Sequence, residues 1–185
     1  MTAPTVSIDE DRSETTLPLR RLYFVRFAFA VVWAVLVFTT AKTLGPVATT
    51  LLVLYPLFDV AAAVVDARSA KTATAGLYVN IVISLLTAVG LGIAASSGIP
   101  AVLGVWGAWA IVAGLVQLVV GLVRRSLGGQ WPMIASGALS AVAGTTFVLQ
   151  STQDAATLTT LAGYATLGGV FFLISALRLG RSVKR

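Results

Sequence analysis

The sequence predicts an all-α fold, a polytopic membrane helical bundle of six transmembrane helices built as three tandem hairpin repeats. Three observations carry that expectation. Of the 185 residues, 57% are hydrophobic and 11% charged, with a mean hydropathy of +0.93, more apolar than a soluble domain of this length sustains. The apolar residues gather into six runs of about 20, the length a helix needs to cross roughly 30 Å of hydrocarbon. Of the thirteen Lys and Arg, only Lys42 falls on the side of the runs opposite the two termini.

The chain opens on residues 1–19, where Asp9, Glu10, Asp11 and Glu14 stand among Ser, Thr and Pro. Such composition reads as a disordered acidic tail. The first span, 22–41, follows Arg20 and Arg21 like a signal peptide. No clean small-x-small cleavage site follows, however, and five further spans lie downstream, so it reads as an uncleaved helix. The second, 47–66, holds Pro56, whose missing N–H frees a carbonyl one turn earlier and predicts a kink. The third and fourth occupy 76–95 and 101–122, the fifth and sixth 131–150 and 158–178. Connections as short as 42–46 and 96–100 force neighbouring helices to run antiparallel.

The one-sided basic residues place both termini in the cytoplasm, because cytoplasmic loops retain positive charge during insertion. The expected location is the cell (inner) membrane. Tyr23 and Trp131 fit an interfacial belt on the cytoplasmic side, and Trp106 fits one on the other. A net charge of +6 would hint at nucleic acid in a soluble protein, but here it marks topology, and nucleic acid is not an expected partner. The chain has no Cys and no His, which removes thiolate nucleophiles, imidazole acid–base chemistry and the common metal sites. No catalytic, cofactor-binding or metal-binding residue is assigned, and no enzyme activity is expected.

An internal repeat underlies the hairpins. Aligning Pro56, Gly114 and Gly169 superposes the even spans at spacings of 58 and 55 residues. Setting Pro46, Pro100 and Thr157 as equivalent aligns the odd spans, bringing Trp33, Thr87 and Gly144 together and, one heptad earlier, Arg26, Asn80 and Gly137. In this register Asp59 corresponds to Gln117 and Phe172.

An ionisable residue inside a span costs about 2.5–3.5 kcal/mol on insertion scales, so Asp59 stands out. It lies seven residues before Asp66, about 10 Å into its span, and Arg26 lies at a similar depth in the preceding helix. The expected pairs are Arg26 with Asp59 in the first hairpin and Asn80 with Gln117 in the second, the four lining a polar pocket open to the cytoplasm if they converge. Two other readings stand beside this. Arg26 can snorkel to the headgroups, and Asn80 and Gln117 can serve as interhelical glue. Glycines recur at heptad spacing in Gly107, Gly114 and Gly121 and in Gly137 and Gly144, and Gly169 lies between Ala162 and Ala176. Such stripes allow close helix packing where lipid removes the hydrophobic driving force.

The stretch Gly-x-Trp-Ala-Ile-Val-x-Gly at 107–114, the Arg124-Arg125 pair, and the Trp-led run with heptad glycines at 131–144 resemble the HdeD-like acid-resistance membrane proteins. Tyr55-Pro56-x-x-Asp59 with Asp66-Ala67-Arg68 is similar to the second helix of a subset of that family. The resemblance spans about residues 20–180. It implies a six-span inner-membrane protein tied to acid or membrane stress tolerance, with no catalytic residues to carry over. The absence of His and the scarcity of acidic groups facing outward depart from what an external pH sensor would need. The resulting expectation is a stress-tolerance protein acting through helix packing or partner interaction. Its surroundings would be the lipid bilayer, with a homo-oligomer or another membrane protein as partner. The alternative is a small proton-linked or solute transporter using Asp59.

Overall fold

The computed structural model describes residues 7–69, 75–123, 131–153 and 156–182. Within them the chain forms six helices and no strand: α1 (Ser7–Thr40), α2 (Pro46–Ser69), α3 (Ala75–Ala94), α4 (Ile99–Val123), α5 (Trp131–Gln150) and α6 (Thr159–Ser182). All six contain a segment long and apolar enough to cross a membrane. The fifth coincides with the expected span, and the others shift by a few residues at their ends.

One difference is larger. Helix α1 begins at Ser7, so the stretch 7–19, expected to be disordered, is helical, while residues 1–6 lie outside the described residues. Composition speaks to whether a segment can bury a core. Extending a helix that is already formed needs no new nucleus and fixes one residue per added hydrogen bond. Its membrane-spanning part starts at Leu17.

The connections show why the helices stop where they do. The Ala41 amide bonds the Val37 carbonyl at 2.8 Å, and α2 restarts at Pro46, a residue suited to a first helical position because its missing N–H would be unpaired there anyway. Between α3 and α4 a single 3-10 turn, Ala95–Ser97, runs into Gly98, whose φ of 96° lies in the region glycine adopts without a Cβ clash. The hydroxyls of Thr39, Thr145 and Thr166 bond carbonyls four residues back in their own helices, which satisfies them in an apolar surrounding.

Each helix lies against its neighbours in the chain, and α6 closes back onto α1, so the six form a ring. The closest seams are α4 with α5, α1 with α6, and α2 with α3. These join one hairpin repeat to the next, whereas the helices inside each hairpin touch less. The outside of the ring is apolar, with Leu86 and Ile93 at 67% and 68% exposure, the arrangement a lipid-facing surface requires.

Glycine explains the tightest seam. A Cβ on Gly114 would stand 2.7 Å from the Ala141 nitrogen and from the Gly137 oxygen, and one on Gly107 would stand 2.6 Å from the Gly144 oxygen. Gly137 and Gly144 return the same contacts from α5. Gly121 meets mainly the Ile134 side chain. Gly169 belongs to a different seam and faces Ala30 and Phe27 of α1. The heptad stripes therefore let backbone meet backbone, as packing without a hydrophobic drive demands.

Candidate functional site

Polar side chains converge where α1, α2 and α3 meet. Asp59 is placed by α2 three residues after Pro56, and its Oδ1 takes an ion pair from Nη2 of Arg26 on α1. The Asn80 amide on α3 donates to the other oxygen, Oδ2, at 2.6 Å, and the Ser84 hydroxyl donates to the same atom at 3.1 Å. Ser84 in turn accepts from the Trp109 indole N–H of α4 at 3.1 Å. Asp59 thus receives three donors from two neighbouring helices, and a fourth helix is tied in through Ser84. The side chains of Arg26 and Asp59 keep only 13% and 14% of their surface exposed.

The guanidinium of Arg26 also lies 4.4 Å from the Phe172 ring centroid, a cation–π contact that strengthens away from water. Arg26 therefore does not snorkel to the interface. It is held between α2 and α6.

The expected pairing of Asn80 with Gln117 is not formed. Asn80 turns to Asp59, and Gln117 is half-buried on α4 without a hydrogen bond to it. The reason lies in the seams: α3 packs more closely on α2 than on its hairpin partner α4, so Asn80 finds the stronger, charged acceptor. Gly137 abuts α4 at Gly114 and Leu118, around the turn that carries Gln117. The polar layer consequently gathers Arg26, Asp59 and Asn80, and leaves Gln117 beside the glycine seam.

Sequence reasoning missed Ser84, Trp109 and Phe172. Ser84 lies one helical turn beyond Asn80, on the same face, which was the available signal. A serine in a span commonly bonds its own helix, however, and attracts no notice. Trp106, expected as an interfacial anchor, is instead fully buried at the centre of the ring. It stacks on Trp33 at 5.4 Å and meets Trp109 edge-on at 5.4 Å, with Tyr55 also against it. Helix α4 is apolar on every side, so hydropathy alone could not tell its inner face from its outer one. Trp131, by contrast, is 56% exposed at the start of α5, with Arg178 over its ring.

Pro56 is buried inside a helix that continues past it. The Trp33 indole donates to the Leu51 carbonyl at 2.6 Å, one residue before Leu52, whose carbonyl loses its i→i−4 partner to Pro56. Trp33→Phe is expected to lower stability by about 1–3 kcal/mol, through the lost bond and the smaller ring. Reversible unfolding in mixed micelles reads this directly. In the same core, the hydroxyls of Ser140 and Tyr164 bond at 2.5 Å and Phe147 packs edge-on to Tyr164, linking α5 to α6 where their backbones stand apart.

No cluster of three or more metal-ligating side chains occurs among the described residues. Lys71, Arg124, Arg125, Lys184 and Arg185 of the basic set lie outside the described residues. No protein-family model, no curated protein and no solved structure matches the chain. What the helices establish is the build of a multi-pass integral membrane protein: six segments long and apolar enough to span, closed into a ring that, among the described residues, holds a part-buried ion pair.

Proposed function

We propose that this chain is an inner-membrane protein with both termini in the cytoplasm, contributing to acid or membrane stress tolerance through helix packing and contact with a partner. In this reading it is not an enzyme. The observation that carries the reading is that both oxygens of Asp59 are engaged by side chains of neighbouring helices. Both carboxylate oxygens accept from Arg26, Asn80 or Ser84, so the group works as the fastening of three helices, with most of its acceptor capacity turned to the protein itself. The basic residues at the end bearing both termini support the orientation. The resemblance of residues 107–114 and 131–144 to the HdeD-like proteins supports the stress role.

The test is survival at low pH of a strain lacking the gene, complemented with wild type, Asp59→Asn, or the double Arg26→Leu, Asp59→Leu, at matched membrane levels. Rescue by wild type and by the apolar double is the expected result. Rescue by wild type alone would overturn it in favour of a proton-linked transporter with Asp59 as its ionisable centre. Equal survival of the deleted strain would remove the acid-stress role.

A further inference from the structure

At the end of the bundle where α1 begins and α6 ends, the seam between them presents an arginine that forms no ion pair with any side chain described from Leu17 onward. Arg20 is half-buried, and its Nε is enclosed without any hydrogen-bond partner. A Cβ placed on Gly180 of α6 would stand 2.9, 3.0 and 3.1 Å from the Cζ, Nε and Nη2 atoms of Arg20. Nearly equal distances to three atoms of a planar group mean that the guanidinium lies flat on the glycine backbone. The Phe24 ring, one turn along α1, has its centroid 5.5 Å from Cζ.

Arg20 is therefore seated with one face covered by the Gly180 backbone, and a guanidinium held in this way keeps the paired in-plane donors that suit a phosphate. Among the described side chains, which begin at Leu17, the ion pair joins Arg26 to Asp59 and none reaches Arg20. Arg21 beside it and Arg178, two residues before Gly180, are exposed and likewise form no ion pair with the side chains described from Leu17 onward. Arg20 lies three residues inside the start of the α1 span, and Arg178 ends the α6 span. Trp131, over which Arg178 lies, opens the α5 span. The ends of membrane-spanning segments lie near the depth of lipid headgroups, where basic clefts between helices select anionic lipid.

We propose that the α1–α6 seam binds a phosphate-bearing anion, with Arg20 on its Gly180 seat as the principal contact and Arg21 and Arg178 supplying attractive field. In a bilayer the source is the phosphodiester of an anionic phospholipid. The site depends on the chain lying in a membrane and is independent of the stress-tolerance reading.

The experiment titrates the full-length protein in neutral detergent with phosphatidylglycerol, phosphatidylcholine or inorganic phosphate, and counts retained ligand by native mass spectrometry. Wild type is expected to retain phosphatidylglycerol over phosphatidylcholine. Arg20→Gln is expected to weaken that retention about fivefold, the effect of one basic group near an anionic surface. Gly180→Val keeps every charge but lifts the guanidinium off its seat, and is expected to weaken it as well. Arg68→Gln, an equal loss of charge at the same end on α2, is expected to leave it unchanged. Retention of inorganic phosphate that depends on Arg20 would support the site and identify a free anion as its occupant. Equal retention by wild type, Arg20→Gln and Gly180→Val would overturn the proposal, as would an Arg68→Gln loss as large as that of Arg20→Gln.

Discussion

Gly114→Val is expected to prise α4 from α5 and lower stability by about 3 kcal/mol, the upper part of the range for overpacked cores. Its first added carbon would meet the Ala141 nitrogen and Gly137 oxygen at 2.7 Å and Ser140 Cβ at 2.9 Å. Two of those atoms are backbone and cannot rotate away, so the helices must separate along the seam. The internal control is strong. A Cβ added at Gly163 or Gly92 would meet nothing within 4 Å, and replacing either with Ala is expected to be neutral or to stabilise by up to about 1 kcal/mol through helix propensity. Unfolding in mixed micelles separates the two outcomes. Loss of stability in Gly163→Ala equal to that in Gly114→Val would show that the glycines act through flexibility instead of close approach.

Asp59→Leu is expected to cost about 3–5 kcal/mol, because it leaves the Arg26 guanidinium enclosed without its counter-charge. Asn80 and Ser84 lose their acceptor in the same step. The double Arg26→Leu, Asp59→Leu removes both charges and leaves only those two neutral donors. Interhelical hydrogen bonds in membranes average about 0.6 kcal/mol, so the double is expected to lose roughly 1–2 kcal/mol. The more heavily altered protein should thus be the more stable of the two variants. Equal destabilisation by the single and the double would mean that the ion pair does not carry the coupling between α1 and α2. Adding Asn80→Leu to the double should then cost little, since the acceptor that oriented Asn80 is already gone.

How much of this is legible in the sequence follows from the range over which each property is set. An ionisable residue in an apolar run is conspicuous by itself, so Arg26 and Asp59 could be singled out and matched by depth alone. Asn80 was recognisable as polar, yet its partner depended on which helix lay beside α3. The repeat register aligned Arg26 with Asn80, and Asp59 with Phe172. Those positions do share a layer, but apart from the Arg26–Asp59 pair inside the first hairpin its contacts run from hairpin to hairpin, Asp59 to Asn80 and Arg26 to Phe172. Glycine spacing announced close packing without saying that the stripe of α4 would face that of α5.

Hydropathy over about 20 residues, short connections and basic flanks are local quantities, and they determined the six spans and their antiparallel order without reference to the rest of the chain. The tertiary structure decided the seams, the inward turn of Trp106 and the choice of Asn80 over Gln117 as the third member of the ion-pair network. The physical reason is the solvent. In water, burial of apolar surface marks the inner face of a helix in its sequence, whereas in lipid both faces are apolar. The inner face is then selected by backbone approach at glycine and by the saturation of a few polar groups, and both depend on residues far apart in the chain.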